Sequence, residues 1–478
     1  MSLFSVEFIF CFLVFWLIYY IFKFSIFIQK LLILGFSYLF LFAINPICLL
    51  INFVFTLIIY LFSRLILKFN FAFVLSIIFI ILNLTFFKYK GYFGFEFKNE
   101  FLNTNIFPLG LSFYSFMAIT YLYSVKIGEL KPKFIDSFVF LSFFITIVSG
   151  PILRAKEFFK TLNEKKTFEY SNLIFTLILM AFFKKLILAN HLFNYLTPIF
   201  NNINSYNFLE LFSSLYLYSL LLYFDFSSYV DFVLALGLMC GFKLPKNFNR
   251  PFLATDLKEF WRRWHISLMS FFKDYIYIKL GGSRCGNLKT QRNILIVFML
   301  SGIWHGGGLS FFIWGFLHGV CVVLLNLKKN FDILKFDILK RFITFSFLSF
   351  IWVFFIFKFD DSIGFIANLS EFKEFEILYF LVFIFMIFVF LYLYEKINFY
   401  EILMFIFDSL NIFFIIIFLF ISFLSIYFLM PSGMPEFIYQ GFWWELLLFY
   451  HLFFYYFFPC FYTHFATILK QNIKNFSF

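Results

Sequence analysis

The chain has 478 residues, 63% of them hydrophobic and 13% charged; a soluble domain carries roughly 25% charged residues, so composition excludes a soluble globular protein and leaves a polytopic membrane protein. The net charge of +12 sits in short basic clusters between apolar runs, such as Lys184-Lys185 and Lys328-Lys329. That pattern fits cytoplasmic loops and anionic headgroups, which account for the charge without a nucleic-acid partner or a basic groove with interleaved aromatics. Phe fills 93 positions; Phe, Ile, Lys, Asn and Tyr share A/T-rich codons, so base bias in the genome accounts for its abundance.

In chain order, residues 8–22 form the first apolar run. Glu7 precedes it, and neither a basic n-region nor a small-residue cleavage site accompanies it, so it reads as a membrane helix rather than a cleaved signal. Residues 31–63 are uncharged and too long for one span of about 20 residues; Asn45-Pro46 near the middle predicts a tight turn and two crossings. Further uncharged stretches cover residues 101–125, 137–153, 186–209, 342–357, 377–394, 409–435 and 446–469. The expectation is an all-α fold of about 11 spans with short re-entrant or interfacial helices besides. It forms one membrane domain over residues 1–478, with a motif-bearing core at 108–319 and C-terminal helices at 342–469. Lys23 and Lys30 place the loop after the first helix in the cytoplasm and the N-terminus outside; Lys470 and Lys474 place the C-terminus inside. An outside start and inside end require an odd number of crossings, which agrees with that count. No internal repeat and no separate soluble domain is visible.

The interior differs. Residues 224–292 are dense in charge, glycine and proline: Asp225, Asp231, Lys243, Pro245, Arg250, Pro251, Glu259, Arg262, Arg263, His265, Asp274, Gly281, Gly282 and Arg284. Such a segment does not cross as a plain lipid-facing helix. Polar, non-helical backbone at membrane depth survives where protein or a water-filled cavity covers it. It is therefore expected to fold into the protein and form the wall of a site.

The candidate site begins with His305. Residues 293–327 contain no Lys, Arg, Asp or Glu, and inside that run stands Ser301-Gly302-Ile303-Trp304-His305-Gly306-Gly307-Gly308. An ionisable group within the membrane is costly and points to function; a dry imidazole stays neutral and accepts a proton. The glycines loosen or end the preceding helix and permit close approach. A structural histidine bonded to a carbonyl is the competing reading. His265 lies in Phe260-Trp261-Arg262-Arg263-Trp264-His265-Ile266-Ser267. If that run is helical, Arg262 and His265 share a face and suit an acyl carrier's anion or an oxyanion; an interfacial helix with lipid-facing arginines and an aromatic belt fits equally. Asp274 is a partner for Lys273, Arg262 or Arg263, or an orienter of a histidine. Gly281-Gly282-Ser283-Arg284 is a turn that can face a phosphate. His318 lies thirteen residues beyond His305, out of phase on an unbroken helix, and reads as a supporting polar residue. His191, His451 and His464 carry no motif. The six scattered cysteines and the lack of an HxxxH or carboxylate–histidine cluster argue for neither metal nor disulfides. No nucleophile elbow, Walker loop or dinucleotide fingerprint appears.

Taken together, the motifs resemble the membrane-bound O-acyltransferase (MBOAT) family in its bacterial alginate and peptidoglycan O-acetyltransferase branch. The resemblance runs through Pro108-Leu109-Gly110-Leu111-Ser112-Phe113-Tyr114, Ser149-Gly150-Pro151-Ile152-Leu153-Arg154 and Tyr223-Phe224-Asp225-Phe226-Ser227-Ser228-Tyr229-Val230-Asp231. It continues through Gly241-Phe242, Pro245, Asn247-Phe248-Asn249-Arg250-Pro251 and residues 260–282, and it closes with Trp304-His305-Gly306 and Trp314-Gly315-Phe316-Leu317-His318-Gly319. Residues 274–284 resemble this branch more than the D-alanyl transferases, with Lys279, Ser124 and Lys273 departing from the pattern at its edges.

The resemblance implies a ring of helices around a central funnel that meets a thioester donor on the cytoplasmic side. His305 would be the essential histidine and His265 the second conserved polar position. Arg262, Arg263, Gly281, Gly282 and Arg284 would form the donor- and oxyanion-binding set, with Trp304, Asp274, Tyr275, Asp225, Asn249 and His318 in support. The expected activity is movement of acetyl from a cytoplasmic thioester, acetyl-CoA, across the inner membrane for O-acetylation of a cell-envelope polysaccharide. Peptidoglycan is favoured over alginate or another exopolysaccharide. A periplasmic partner of the SGNH-hydrolase kind would complete the transfer, and no bound cofactor or metal is called for. Two rivals come from other classes: a transporter or flippase with His305 relaying protons, and a passive scaffold for acylating enzymes.

Overall fold

The computed structural model describes residues 3–89, 108–327, 336–369 and 374–431. Those residues are helical nearly throughout, with one isolated antiparallel bridge, Phe248 to Trp264, outside the helices. Among the described residues eight helices are long and apolar enough to cross a membrane, and nine if the pair Leu381–Lys396 and Phe399–Ser409, bent by 42°, is one span. The shorter Val6–Ile21 helix is also apolar. The stretch at 446–469, His451, His464, Cys460, Lys470 and Lys474 lie outside the described residues, as does Lys328-Lys329.

Local signals set the first helices. Ser5 caps Val6–Ile21, and Ser25 caps Ile26–Ile44, each accepting a backbone N–H three residues on. The long run at 31–63 breaks where expected. Asn45 leaves helical geometry, its side chain accepts from the Ile47 N–H, and Pro46 opens the Pro46–Ile66 helix, a position where its missing donor costs nothing.

The uncharged stretch at 137–153 departs from expectation. It holds the short helix Phe134–Ser142 and then leaves helical form, with residues 143–153 all buried. Its freed backbone groups are met by side chains from other elements: Asn52 Nδ2 donates to the Leu141 carbonyl at 3.2 Å, the Phe144 N–H to Ser37 Oγ at 3.2 Å, the Ser149 N–H to Tyr229 Oη at 3.2 Å and the Ile152 N–H to Ser267 Oγ at 3.0 Å. Periodicity does not reveal such a re-entrant piece, because its composition matches that of a span. Internal satisfaction of its donors is what keeps it out of lipid.

The polar interior also divides differently from the sequence reading. Asp225 and Asp231 lie on the 32-residue helix Phe208–Met239, opened by an Asn207/Glu210 capping box. This helix is long enough to cross the membrane, yet its central stretch is buried in protein rather than facing lipid. Its carboxylates are tolerated because they are paired: Lys185 Nζ lies 2.6 Å from Asp225, and Lys184 Nζ lies 2.5 Å from Asp231. The irregular wall begins only after Met239. There the short helices Leu257–Arg263 and Ile266–Phe272 and the turn at 278–286 pack against a hairpin formed by Asn287–His305 and Leu309–Leu327.

Candidate active site

The hairpin positions His305. Its first helix ends on His305, and Gly306 is extended. Across the seam the two helices meet through glycine. A Cβ on Gly302 would fall 3.2 Å from the Gly315 Cα, the converse holds for Gly315, and a Cβ on Gly319 would fall 3.1 Å from the Phe298 Cβ. Small residues let membrane helices approach closely, and here that closeness brings the second arm's rings to His305.

The imidazole of His305 is buried among aromatic rings. Centroid distances are 4.6 Å to Trp304, 5.2 Å to Trp314 and 5.1 Å to Phe355. His318 lies 4.7 Å from Trp314 and 5.0 Å from Trp261, and it is fully buried. The two histidines, thirteen residues apart, are thus joined through one indole because the chain reverses between them. Neither ring nitrogen of His318 has a hydrogen-bond partner among the described residues.

His265 reaches the same place by a backbone reversal. Leu257–Arg263 ends, Trp264 is extended, and His265 takes the left-handed conformation at φ 46° before Ile266–Phe272 begins. The Ile266 N–H donates to the Asn247 carbonyl, and the Ser267 N–H to Asn247 Oδ1, each at 3.0 Å. These bonds hold the turn. The His265 ring lies 4.9 Å from Phe226 and 6.2 Å from Trp304. Burial lowers its pKa to about 3, so it is neutral. His265, His318 and Lys88 are all near enough to His305 to act on it electrostatically.

Several expected site residues stand elsewhere or do other work. Arg262 and His265 do not share a helical face: the helix stops between them, leaving Arg262 exposed and His265 buried. Arg263 is held by Glu259 at 2.6 Å and donates to the Asn249 carbonyl. The Gly281 and Gly282 amides donate to the Ile278 and Tyr277 carbonyls within their own turn, so they are not aimed at an oxyanion; Arg284 is exposed. Asp274 pairs not with Lys273, Arg262, Arg263 or a histidine but with Arg154, at 2.7 Å. The same guanidinium covers the Tyr275 ring at 4.9 Å. Asn249 is exposed and joins the bridge through its backbone, whereas the fully buried Asn247 braces the His265 turn. Asp225 serves its lysine pair, one residue from the Phe226 ring that touches His265. Trp304 lies against His305 itself, and His318 against Trp314.

Two residues were not singled out from sequence. Lys88 ends the Phe71–Tyr89 helix, and its side-chain nitrogen lies 5.7 Å from the Trp304 ring centroid. Beside it, Tyr89 Oη donates to the Ile303 carbonyl, two residues before His305. In sequence, a basic residue at the end of an apolar run marks topology, and nothing in the spacing ties position 88 to position 305. Among the described residues no group of three His, Cys, Asp or Glu side chains is arranged to hold a metal ion. The arrangement is a buried imidazole among aromatic rings, with a lysine side chain over the neighbouring Trp304 ring, a geometry that suits activation of a hydroxyl.

Residues 55–359 match the model of the membrane-bound O-acyltransferase family. The chain is 32% identical over 274 residues to a peptidoglycan O-acetyltransferase of Helicobacter pylori, an alignment covering 50% of this chain and 52% of that one. It is 33% identical over 254 residues to a probable alginate O-acetylase of Pseudomonas aeruginosa, covering 50% and 48%. Similarity to a teichoic acid D-alanyltransferase of Bacillus subtilis is 30% over 239 residues, covering 47% and 60%. The chain spans about half the length of the curated relatives it matches. The resemblance read from the motifs is borne out.

Proposed function

Because this chain belongs to the membrane-bound O-acyltransferase family, we propose that it is a multi-pass membrane acetyltransferase in which His305 is the general base. The observation that carries the reading is the placement of His305: buried at a helix end, ringed by Trp304, Trp314 and Phe355, with His265 folded into the same pocket. In this reading an acceptor hydroxyl gives its proton to the imidazole as its oxygen attacks a thioester carbonyl. The oxyanion then collapses, and the thiolate leaves with the proton. The donor is acetyl-CoA from the cytoplasm, and the acetyl group crosses the inner membrane, with the N-terminus outside and the C-terminus inside. A periplasmic SGNH-type protein completes transfer to peptidoglycan. The peptidoglycan and alginate relatives are equally similar, so the acceptor is the finer part of the proposal.

The test is acetyl-CoA consumption by membranes containing the full chain. His305→Ala, inserted and folded, is expected to abolish turnover; unchanged turnover overturns the reading and favours the transporter or scaffold alternatives. O-acetyl content of isolated peptidoglycan, measured with and without the gene, tests the acceptor, and unchanged peptidoglycan acetylation with altered acetylation of an exopolysaccharide redirects it.

A further inference from the structure

Acyl transfer needs more than a base. As the hydroxyl attacks, the carbonyl π pair moves to oxygen, and that oxyanion requires a donor or cation aimed at it in a dry site, usually the largest single contribution to rate. The groups expected to supply it do not reach the pocket. Arg263 is bound to Glu259, Arg262 and Arg284 face outward, and the Gly281 and Gly282 amides donate within their turn.

Resting on the acyl-transfer reading of His305, we propose that Lys88 is a catalytic residue whose side-chain nitrogen donates to the oxyanion formed beside that imidazole. Three observations carry this. That nitrogen lies 5.7 Å from the ring centroid of Trp304, the residue adjacent to His305. Lys88 is the lysine or arginine that acts electrostatically on His305 among the described residues. The Tyr89 hydroxyl bonds the Ile303 carbonyl, tying the end of the Phe71–Tyr89 helix to the last turn before the base. An ionisable side chain kept at a membrane helix end and turned to the protein marks a functional site, and an N–H donor already in place there costs no reorganisation when charge develops. In the step itself the acceptor O–H proton passes to His305, the new C–O bond forms, and the oxyanion sits against Lys88. Collapse then breaks the C–S bond, and the thiolate takes the proton from His305. No further reactant is needed.

The experiment compares Lys88→Met and Lys88→Arg with the wild type as full chains in native membranes, with acetyl-CoA as donor. Lys88→Met is expected to lower kcat about 10²- to 10³-fold while KM for acetyl-CoA stays within about twofold, because the interaction exists only in the transition state. Lys88→Arg is expected to recover much of the rate. Wild-type kcat in Lys88→Met overturns the proposal, and so does a change confined to KM, which would mean the lysine holds a phosphate of the donor instead. Should Lys88→Met not be recovered as a folded species, Lys88→Gln takes its place, and wild-type kcat in that variant is equally fatal. His305→Ala, assayed alongside, separates the two claims: a dead His305→Ala with an active Lys88→Met rejects the role of Lys88 alone.

Discussion

His305 and Trp314 stand on opposite arms of one hairpin, and their rings lie 5.2 Å apart because Gly302 and Gly315 let the arms close. The position of the candidate base is therefore set by residues that carry no chemistry.

Gly315→Leu should act accordingly. A side chain there drives into the Phe298 carbonyl and the Gly302 backbone, and forced overpacking costs typically about 1–3 kcal/mol. The expected outcome is a lower melting temperature in detergent together with loss of acetyl-CoA turnover. Gly35→Leu, where nothing lies within 4 Å of an added Cβ, should leave both unchanged.

Trp314 bridges His305 and His318. Trp314→Ala should cost about 3–5 kcal/mol and release both imidazoles, whereas Trp314→Phe should keep much of the contact and a measurable rate. Equal activity in the two variants would show that the ring does not hold the base.

His265 supplies a pH dependence. Its pKa falls from an ordinary 6.5 to about 3 on folding. The unfolded chain therefore binds a proton that the folded chain refuses as pH drops below 6.5, and stability declines through that window at up to about 1.4 kcal/mol per pH unit. Melting temperature should fall between pH 6.5 and pH 4 in the wild type, and His265→Gln should flatten the slope. An unchanged slope in that variant assigns the decline to other groups.

The Lys185–Asp225 pair is buried on both sides. Removing one partner strands a charge at a cost of about 3–5 kcal/mol, so Lys185→Met alone should be severely destabilised. The double variant Lys185→Met/Asp225→Leu should recover most of the loss. By contrast Asp274 is half exposed, and Asp274→Asn should cost no more than about 1 kcal/mol, as thermal melts of each variant would show.

What the sequence made legible was local. The Asn45-Pro46 break and the helix stop at His305 both follow from neighbouring residue types. What it hid was set by chain reversal and by distant packing. Arg262 and His265 are co-facial only on an unbroken helix; the left-handed turn at His265, a conformation uncommon for residues other than glycine, removes that assumption. Asp274 and its partner Arg154 are 120 residues apart, and Lys88 comes to the site on a helix whose sequence shows only a greasy run with a basic end. Spacing read the wrong asparagine as well: Asn249 lies on the bridge, but Asn247 has the side chain that the His265 turn requires.

The π-helical segment Phe183–Ala189 carries its own consequence. Consecutive residues on an ordinary helix diverge by about 100°, yet here adjacent lysines both reach acids six positions apart on one neighbouring helix. The widened turn acts as a register device, absorbing one extra residue so that two charges dock side by side. Deleting a single residue within it would turn one flank by about 100° against the helix on which both flanks pack and separate the two lysines from their acids, so this short stretch should tolerate exchanges of its apolar side chains far better than any change in its length.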